Sequence, residues 1–498
     1  MQVKHGLCVT LMCFGVGCDP DISSDPPEEP TSEEAFVPYS PPPGDEVVDA
    51  TTLTGKMVMG YQGWFSAPGD GSERDAFRHW FSDNTPTPEN LTFDAWPDLS
   101  EFSASELFDT ALHYEDGRVA QVYSAHNPTT VDRHFQWMAE HRIDGVFLQQ
   151  FVVELTPGST DRAFRDQVTS NVQAGAEAHG RVFALMYDLS GAPDDHVVER
   201  IMGHWEAMVD SGVVHSDRYL QHRGQPLVAI WGLGFAERSL EATVGEELLS
   251  YFRTGPTEHR ATVMGGVPTY WRSRTMDAAV DPEWTNIILD LDVISPWTVG
   301  RFADDPGVES YRYTLDGDLL AAADAGADLL PVIWPGFSWA NLNKGEPLNQ
   351  IPRRGGRFLW KQVYEAIDAG ATMLYGSMFD EVDEATAFFK VAPSRDLSPA
   401  DAHFLTLNAD GEDLPSDFYL QLAGAARDTL AGDLALSDTH PITSGEPPSC
   451  DPPRSTLEDD RCTMSCTEAG GDACGLEACE GHFRFSANDC DVCCDTSL

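Results

Sequence analysis

Short apolar runs rich in β-branched and aromatic residues recur along the middle of the chain, with helical patterns between them. Eight runs read as strands: Met57–Trp64, Ile143–Phe151, Val182–Leu189, Leu227–Leu233, Thr262–Pro268, Ile287–Ser295, Leu329–Trp334 and Thr372–Phe379. Most are apolar throughout rather than alternating, as strands covered on both faces should be. Val131–Arg142, Ala163–Ala178, Val197–Val209 and Phe358–Ala369 carry the helical period. Eight strand–helix units in one body predict an α/β fold, a (β/α)8 TIM barrel over residues 52–432. A doubly wound open sheet is the alternative, weakened because no glycine-rich phosphate loop follows an early strand. The long gap after the first strand holds Trp80, Trp96 and Tyr123, so an elaborated first loop is expected.

In a TIM barrel the C-terminal ends of the strands carry the chemistry. Those ends supply Tyr61, Gln62 and Trp64, then Gln150, then Tyr187 and Asp188. Further along they supply Tyr270 and Trp271, then Trp297, then Trp334 and Trp339. Aromatic faces stack on the C–H faces of sugar rings, and amides and carboxylates bond hydroxyls, so the set predicts sugar binding. For any one aromatic, packing between barrel and helices is the competing role. For Asp188 it is a helix cap or a loop hydrogen bond.

Composition narrows the partners. The 498 residues hold 81 Asp+Glu against 31 Lys+Arg, a formal charge of −50. Such a surface repels phosphate backbones, excluding direct nucleic-acid binding, and disfavours docking on anionic lipid. Neutral polysaccharides remain open. No cofactor is expected, and no metal: His79, His126 and His134 lack ligand spacing, and no zinc-protease helix, P-loop or EF-hand motif appears.

All 11 cysteines lie at the ends of the chain. A short apolar stretch behind Lys4 reads as a signal peptide over residues 1–18. It closes on Phe14-Gly15-Val16-Gly17-Cys18, which resembles a bacterial lipobox with Cys18 as the lipidated residue and membrane tether; plain secretion is the alternative. Residues 19–51 are acidic and proline-rich and read as a disordered spacer. A linker follows at 433–449. Residues 450–498 carry eight cysteines and read as a disulfide-rich module, with zinc binding through Cys490 and Cys493 as the rival. The expected location is the cell surface, as an outer-membrane lipoprotein, or the medium.

Glu381 and Glu384 follow the eighth apolar run. Residues three apart in a strand face opposite ways, so the pair shares one site only if the chain turns or begins a helix at Val382. Glycosidases need two carboxyl groups across the scissile bond, one protonated and one ionised, and crowding two carboxylates pushes one pKa upward. The competing reading is a solvated acidic turn.

Several stretches resemble the glycoside hydrolase family 99 and family 71 superfamily. They are Met59–Trp64, Ile143–Phe147 with Gln149 and Phe151, Met186–Asp188, Val267–Trp271 and Phe379–Thr386, in order over roughly residues 55 to 390. The resemblance implies a (β/α)8 endo-α-mannosidase-like hydrolase acting on an α-linked polysaccharide or glycan. It assigns Glu381 as the base that helps the sugar's 2-hydroxyl attack C1, and Glu384 as general acid and later base. Asp380, Val382, Asp383 and Ala385 stand where the family motif carries Asn, Trp, His and Gly. An inverting α-1,3-glucanase-like hydrolase and a non-catalytic glycan-binding surface lipoprotein are the alternatives.

Overall fold

The protein is described by a computed structural model over residues 47–192, 196–238 and 240–442. The spans read as signal peptide, lipobox and disulfide-rich module, Cys18 included, lie outside the described residues. The apolar runs form parallel strands β1 (Met57–Tyr61), β4 (Gly145–Phe151), β5 (Val182–Asp188), β7 (Gln225–Trp231), β8 (Thr262–Pro268), β9 (Val293–Trp297) and β12 (Leu374–Gly376). The seventh stave is split into β10 (Asp328–Leu329) and β11 (Val332–Ile333). Pro331 lies between the halves and has no N–H to continue the ladder. Leu330 still donates to Ile294, and Tyr375 donates to the Pro331 carbonyl, both at 2.9 Å. β10 pairs with β9, β11 with β12, and β12 with β1, so the ring of eight staves closes.

Helices α1 (Pro128–Glu140), α2 (Thr160–His179), α3 (Val197–Asp210), α4 (Ala242–Thr254), α5 (Glu283–Leu289), α6 (Asp305–Ala325), α7 (Arg357–Asp368) and α8 (Phe418–Ala431) surround it. Their ends follow local chemistry. α1 begins on Asn127, whose side chain accepts from Thr129 N, with Pro128 in the first turn. α2 runs from the Ser159 cap to Gly180 in the left-handed conformation. In the first loop a hairpin of β2 (Leu107–His113) and β3 (Val119–Tyr123) forms, and β6 (Gln221–His222) pairs antiparallel with β7. Among the described residues no helix is long and apolar enough to cross a membrane.

Three spans differ from the sequence reading. The run Ile287–Ser295 is the last turn of α5 followed by β9, because an uninterrupted apolar run has no period to separate helix from strand. The end of the acidic spacer is ordered: Val48 is buried, and its backbone N–H donates to Gly180 O. Beyond 432, the Trp360 indole donates to Ser437 O and Ile442 is buried.

One buried carboxylate ties the opening of the barrel to its last helix. Asp144, just before β4, accepts from Met57 N at the start of β1 (2.8 Å) and from Arg427 of α8 (3.4 Å). It is 1% exposed. Asp144→Ala leaves Met57 N–H and the Arg427 charge without this partner, so unfolding free energy should drop by about 3 kcal/mol. A urea midpoint unchanged from wild type would refute this.

Candidate active site

The chain does turn at Val382. Residues 382–385 form a turn after β12, with Ala385 in the left-handed region at φ 51°. Four elements hold it. The backbone N–H groups of Gln62 and Gly63, at the end of β1, donate to Asp380 at 2.7 and 2.9 Å. Asp94 and Ala95 of the first loop donate to Val382 O at 2.9 and 3.2 Å. Ser338, in the loop after β11, donates to Glu384 O at 2.9 Å. Arg353 donates to Ala385 O and Ala387 O at 2.8 and 3.0 Å while lying over the Tyr419 ring. Arg353 thus grips the turn through carbonyls rather than carboxylates. Arg354 and Arg357 pair with Asp305 and Glu412.

This turn gathers the acids. Glu381 accepts from the Gln62 side chain at 2.5 Å and from Asp383 N at 3.1 Å. Asp383 lies 3.1 Å from His79 Nδ1. Asp94 accepts from Ser338 Oγ, Ala340 N and Asn341 N at 2.5, 2.7 and 2.7 Å. Burial and the neighbouring carboxylates push Glu381 and Asp383 well above the usual carboxylate range. Burial lifts Asp380 to about 6 and Glu384 to about 7. Glu381 and Glu384 titrate as a pair. Donors to Glu381 favour its ionised form, against its deeper burial and its acid neighbours, whereas Glu384 meets no donor among the described residues.

Strand parity sorts the remaining candidates. Tyr61, Gln150 and Tyr187 are not brought to the mouth. They point into the helix layer, bonding His134 of α1 (2.8 Å), Thr169 of α2 (2.9 Å) and His204 of α3 (2.8 Å). Trp334 is likewise buried, against Phe302 and Phe358. Trp271 is 1% exposed, which leaves little surface for a sugar. Gln62 and Asp188 sit at the mouth, and Asp188 also accepts from Ser190 N at 2.7 Å, a loop bond. Trp64, Tyr270, Trp297 and Trp339 are half-buried. Trp64 stacks on His79, centroids 3.7 Å apart, and on Phe151 at 5.2 Å, so its faces serve the protein.

Sequence reasoning misses four mouth residues. Gln149 takes the interior side that Gln150 does not. Trp231 packs edge-on against Trp297 at 5.2 Å and under Arg238. It ends its strand as Trp297 does, so its signal is present in the sequence. His79 and Asp94 come from the first loop, hundreds of residues from the turn they meet, and no local pattern marks them.

Among the described residues no group of three His, Cys, Asp or Glu side chains is arranged to hold a metal ion. No protein-family model matches the chain, and neither does any curated protein. Solved structures do match. One is a family 99 endo-α-mannosidase from Bacteroides thetaiotaomicron in complex with bis-tris-propane. It is 14% identical, with a TM-score of 0.56 over 78% of this chain and 100% of that one. A second structure of the family 99 endo-α-mannosidase from that organism matches at 14% identity and TM-score 0.56, over 76% and 99% of the two chains. The chain shares the fold of these family 99 barrels.

The raised carboxyl pKa of Glu384 has a sign that can be checked. The folded state holds a proton that the unfolded state releases near pH 4.5, so this group's contribution to stability falls as pH rises from about 4.5 to 7. Glu384→Gln removes that loss. Relative to wild type it should gain roughly 2 kcal/mol between pH 4.5 and 7.5. A pH-independent difference in thermal midpoints between the two proteins would exclude a buried, raised Glu384.

Proposed function

We propose that the protein is an extracytoplasmic glycoside hydrolase that cleaves an α-linked glycan, with Glu384 as general acid and Glu381 as its partner base. The observation that carries the proposal is the glutamate pair, held in one turn at the C-terminal end of the eighth stave, with a donor-free half-buried member beside a donor-bound buried one. Active sites of (β/α)8 enzymes lie at this end. The fold shared with family 99 endo-α-mannosidases supports the reaction class.

The chemistry follows from those environments. Glu384, protonated, gives its proton to the glycosidic oxygen as the C1–O bond breaks. Glu381, ionised, takes the proton from the 2-hydroxyl as that oxygen closes on C1. Water then opens the strained ring at C1, giving a proton to Glu384, while O2 recovers its proton from Glu381. Atoms and charges balance, and both glutamates return to their starting states. Gln62 aims Glu381 throughout by its 2.5 Å bond. Carboxylates at the mouth favour neutral glycans over uronic or sulfated ones.

Glu381 is 4% exposed and both its oxygens are engaged within the protein. That observation favours, as second reading, a glycan-binding protein without hydrolysis. Export and anchoring through Cys18 rest on the leader sequence and the terminal cysteines.

Product release from a panel of α-mannans, α-glucans and N-glycans tests the proposal. Glu384→Gln should lower kcat by at least about 100-fold, the lower range for losing a positioned general acid. Wild-type kcat/KM should be bell-shaped in pH, falling by up to about tenfold per pH unit on either side of the pH at which the glutamate pair holds a single proton. Glycan binding with no release by wild type would establish the second reading.

A further inference from the structure

The acid turn meets one basic side chain directly. His79 is the only Lys, Arg or His residue among the described residues whose side chain bonds any of Asp380, Glu381, Asp383 or Glu384. It arrives from the first loop, 304 residues from its partner. Its place is fixed three ways. Its backbone lies in the left-handed region at φ 63°, its carbonyl accepts from Thr92 Oγ1 at 2.8 Å, and its ring lies flat on Trp64, 3.7 Å away and 6° from parallel. The side chain is 31% exposed, and among the described residues only Nδ1 of the ring takes part in a hydrogen bond, which leaves Nε2 for a ligand.

We propose that His79 is a substrate-binding residue of this site, its Nε2–H donating to a hydroxyl oxygen of a neutral sugar, with Asp383 as the positioning residue that fixes the tautomer. This rests on the glycan reading above. Asp383 is crowded by acids. Asp383 faces Glu381, Glu384, Asp380 and Asp94, all carboxyl groups, and accepts no hydrogen bond from lysine, arginine or backbone. Burial and these four acids make an ionised Asp383 unfavourable, and Oδ1 is buried without a partner among the described residues. Burial, and then the charges of Arg165, Arg74 and Arg78, hold the His79 imidazole below its usual range. A protonated carboxyl then donates to Nδ1, and the neutral ring carries its own hydrogen on Nε2. If the shared proton moves onto Nδ1, Nε2 still carries hydrogen. Either way the pair has no net charge and keeps Nε2–H as a donor, beside carboxyl groups that only accept when they are ionised. A sugar hydroxyl both gives and takes hydrogen bonds, so it can take one from His79 while giving another to an acid.

The test has a readout that needs no substrate. Nitrogen-15 NMR of the whole protein near neutral pH should show His79 with hydrogen on Nε2, and Asp383→Ala should release that constraint and let both tautomers appear. A wild-type His79 carrying hydrogen on Nδ1 alone would overturn the proposal, whatever the activity. The second readout is kinetic. His79→Phe keeps a ring on Trp64 but removes the nitrogens. It should raise KM for the released glycan by about tenfold, the loss of one hydrogen bond, with a smaller change in kcat. An unchanged KM in a folded His79→Phe protein would also overturn it. If wild type releases nothing from any glycan, the hydrolase reading fails separately and the tautomer decides this proposal alone.

Discussion

Five buried or half-buried carboxyl groups, on Asp94, Asp380, Glu381, Asp383 and Glu384, meet at one end of the barrel with no lysine or arginine bonded to any of them among the described residues. Burying charge without a counterion is costly, and the structure meets that cost with dipoles and shared protons. Backbone N–H groups serve Asp380 and Asp94, a side-chain amide serves Glu381, and an imidazole serves Asp383. The donors come from three elements. The end of β1, the first loop and the loop after β11 must all be in register before the acids can be buried together. The long first loop is therefore part of the site: without it, Val382 O would lose Asp94 and Ala95, and Asp383 would lose His79.

The same constraint separates the two glutamates. They are three residues apart on one turn, so their difference cannot come from sequence distance. It comes from which oxygens are met by donors. Glu381 is held on both sides, while Glu384 offers its carbonyl to Ser338 and leaves its carboxyl free of donors. Such asymmetry, imposed on two chemically identical groups, is what acid–base chemistry at one bond requires.

How much of this is legible in the sequence follows from the same physics. The staves are legible because strands covered on both faces are continuous apolar runs, and the acid pair because five consecutive residues close the eighth run with four acids. Continuity conceals parity, however. In a run such as Val146-Phe147-Leu148-Gln149-Gln150 nothing tells which amide faces inward, so Gln150 stands out as readily as Gln149. Tyr61 and Tyr187 look like mouth residues for that reason. The split seventh stave and the boundary at Leu289 are hidden because Pro331 and the end of α5 lie inside apolar stretches. His79 and Asp94 are invisible for another reason: their meaning depends on a partner about 300 residues away.

The outward residues have a part in the site all the same. Tyr61 on β1 bonds His134 of the next helix, and Tyr187 on β5 bonds His204 of the next helix. Each tyrosine is followed by a mouth residue, Gln62 and Asp188. Adjacent residues of a strand point opposite ways, so pinning one outward aims the next inward. Burial keeps these anchors constant: it raises both tyrosines well above their usual range, drives His134 down to about 3 and lowers His204. Across the range in which Glu384 and Asp380 titrate, each tyrosine keeps its proton and the His134 imidazole stays neutral, so the bond between Tyr61 and His134 persists. The mouth can then change its protonation without changing its aim. A titrating centre is held on a frame of buried side chains whose polar groups are turned away from the chemistry.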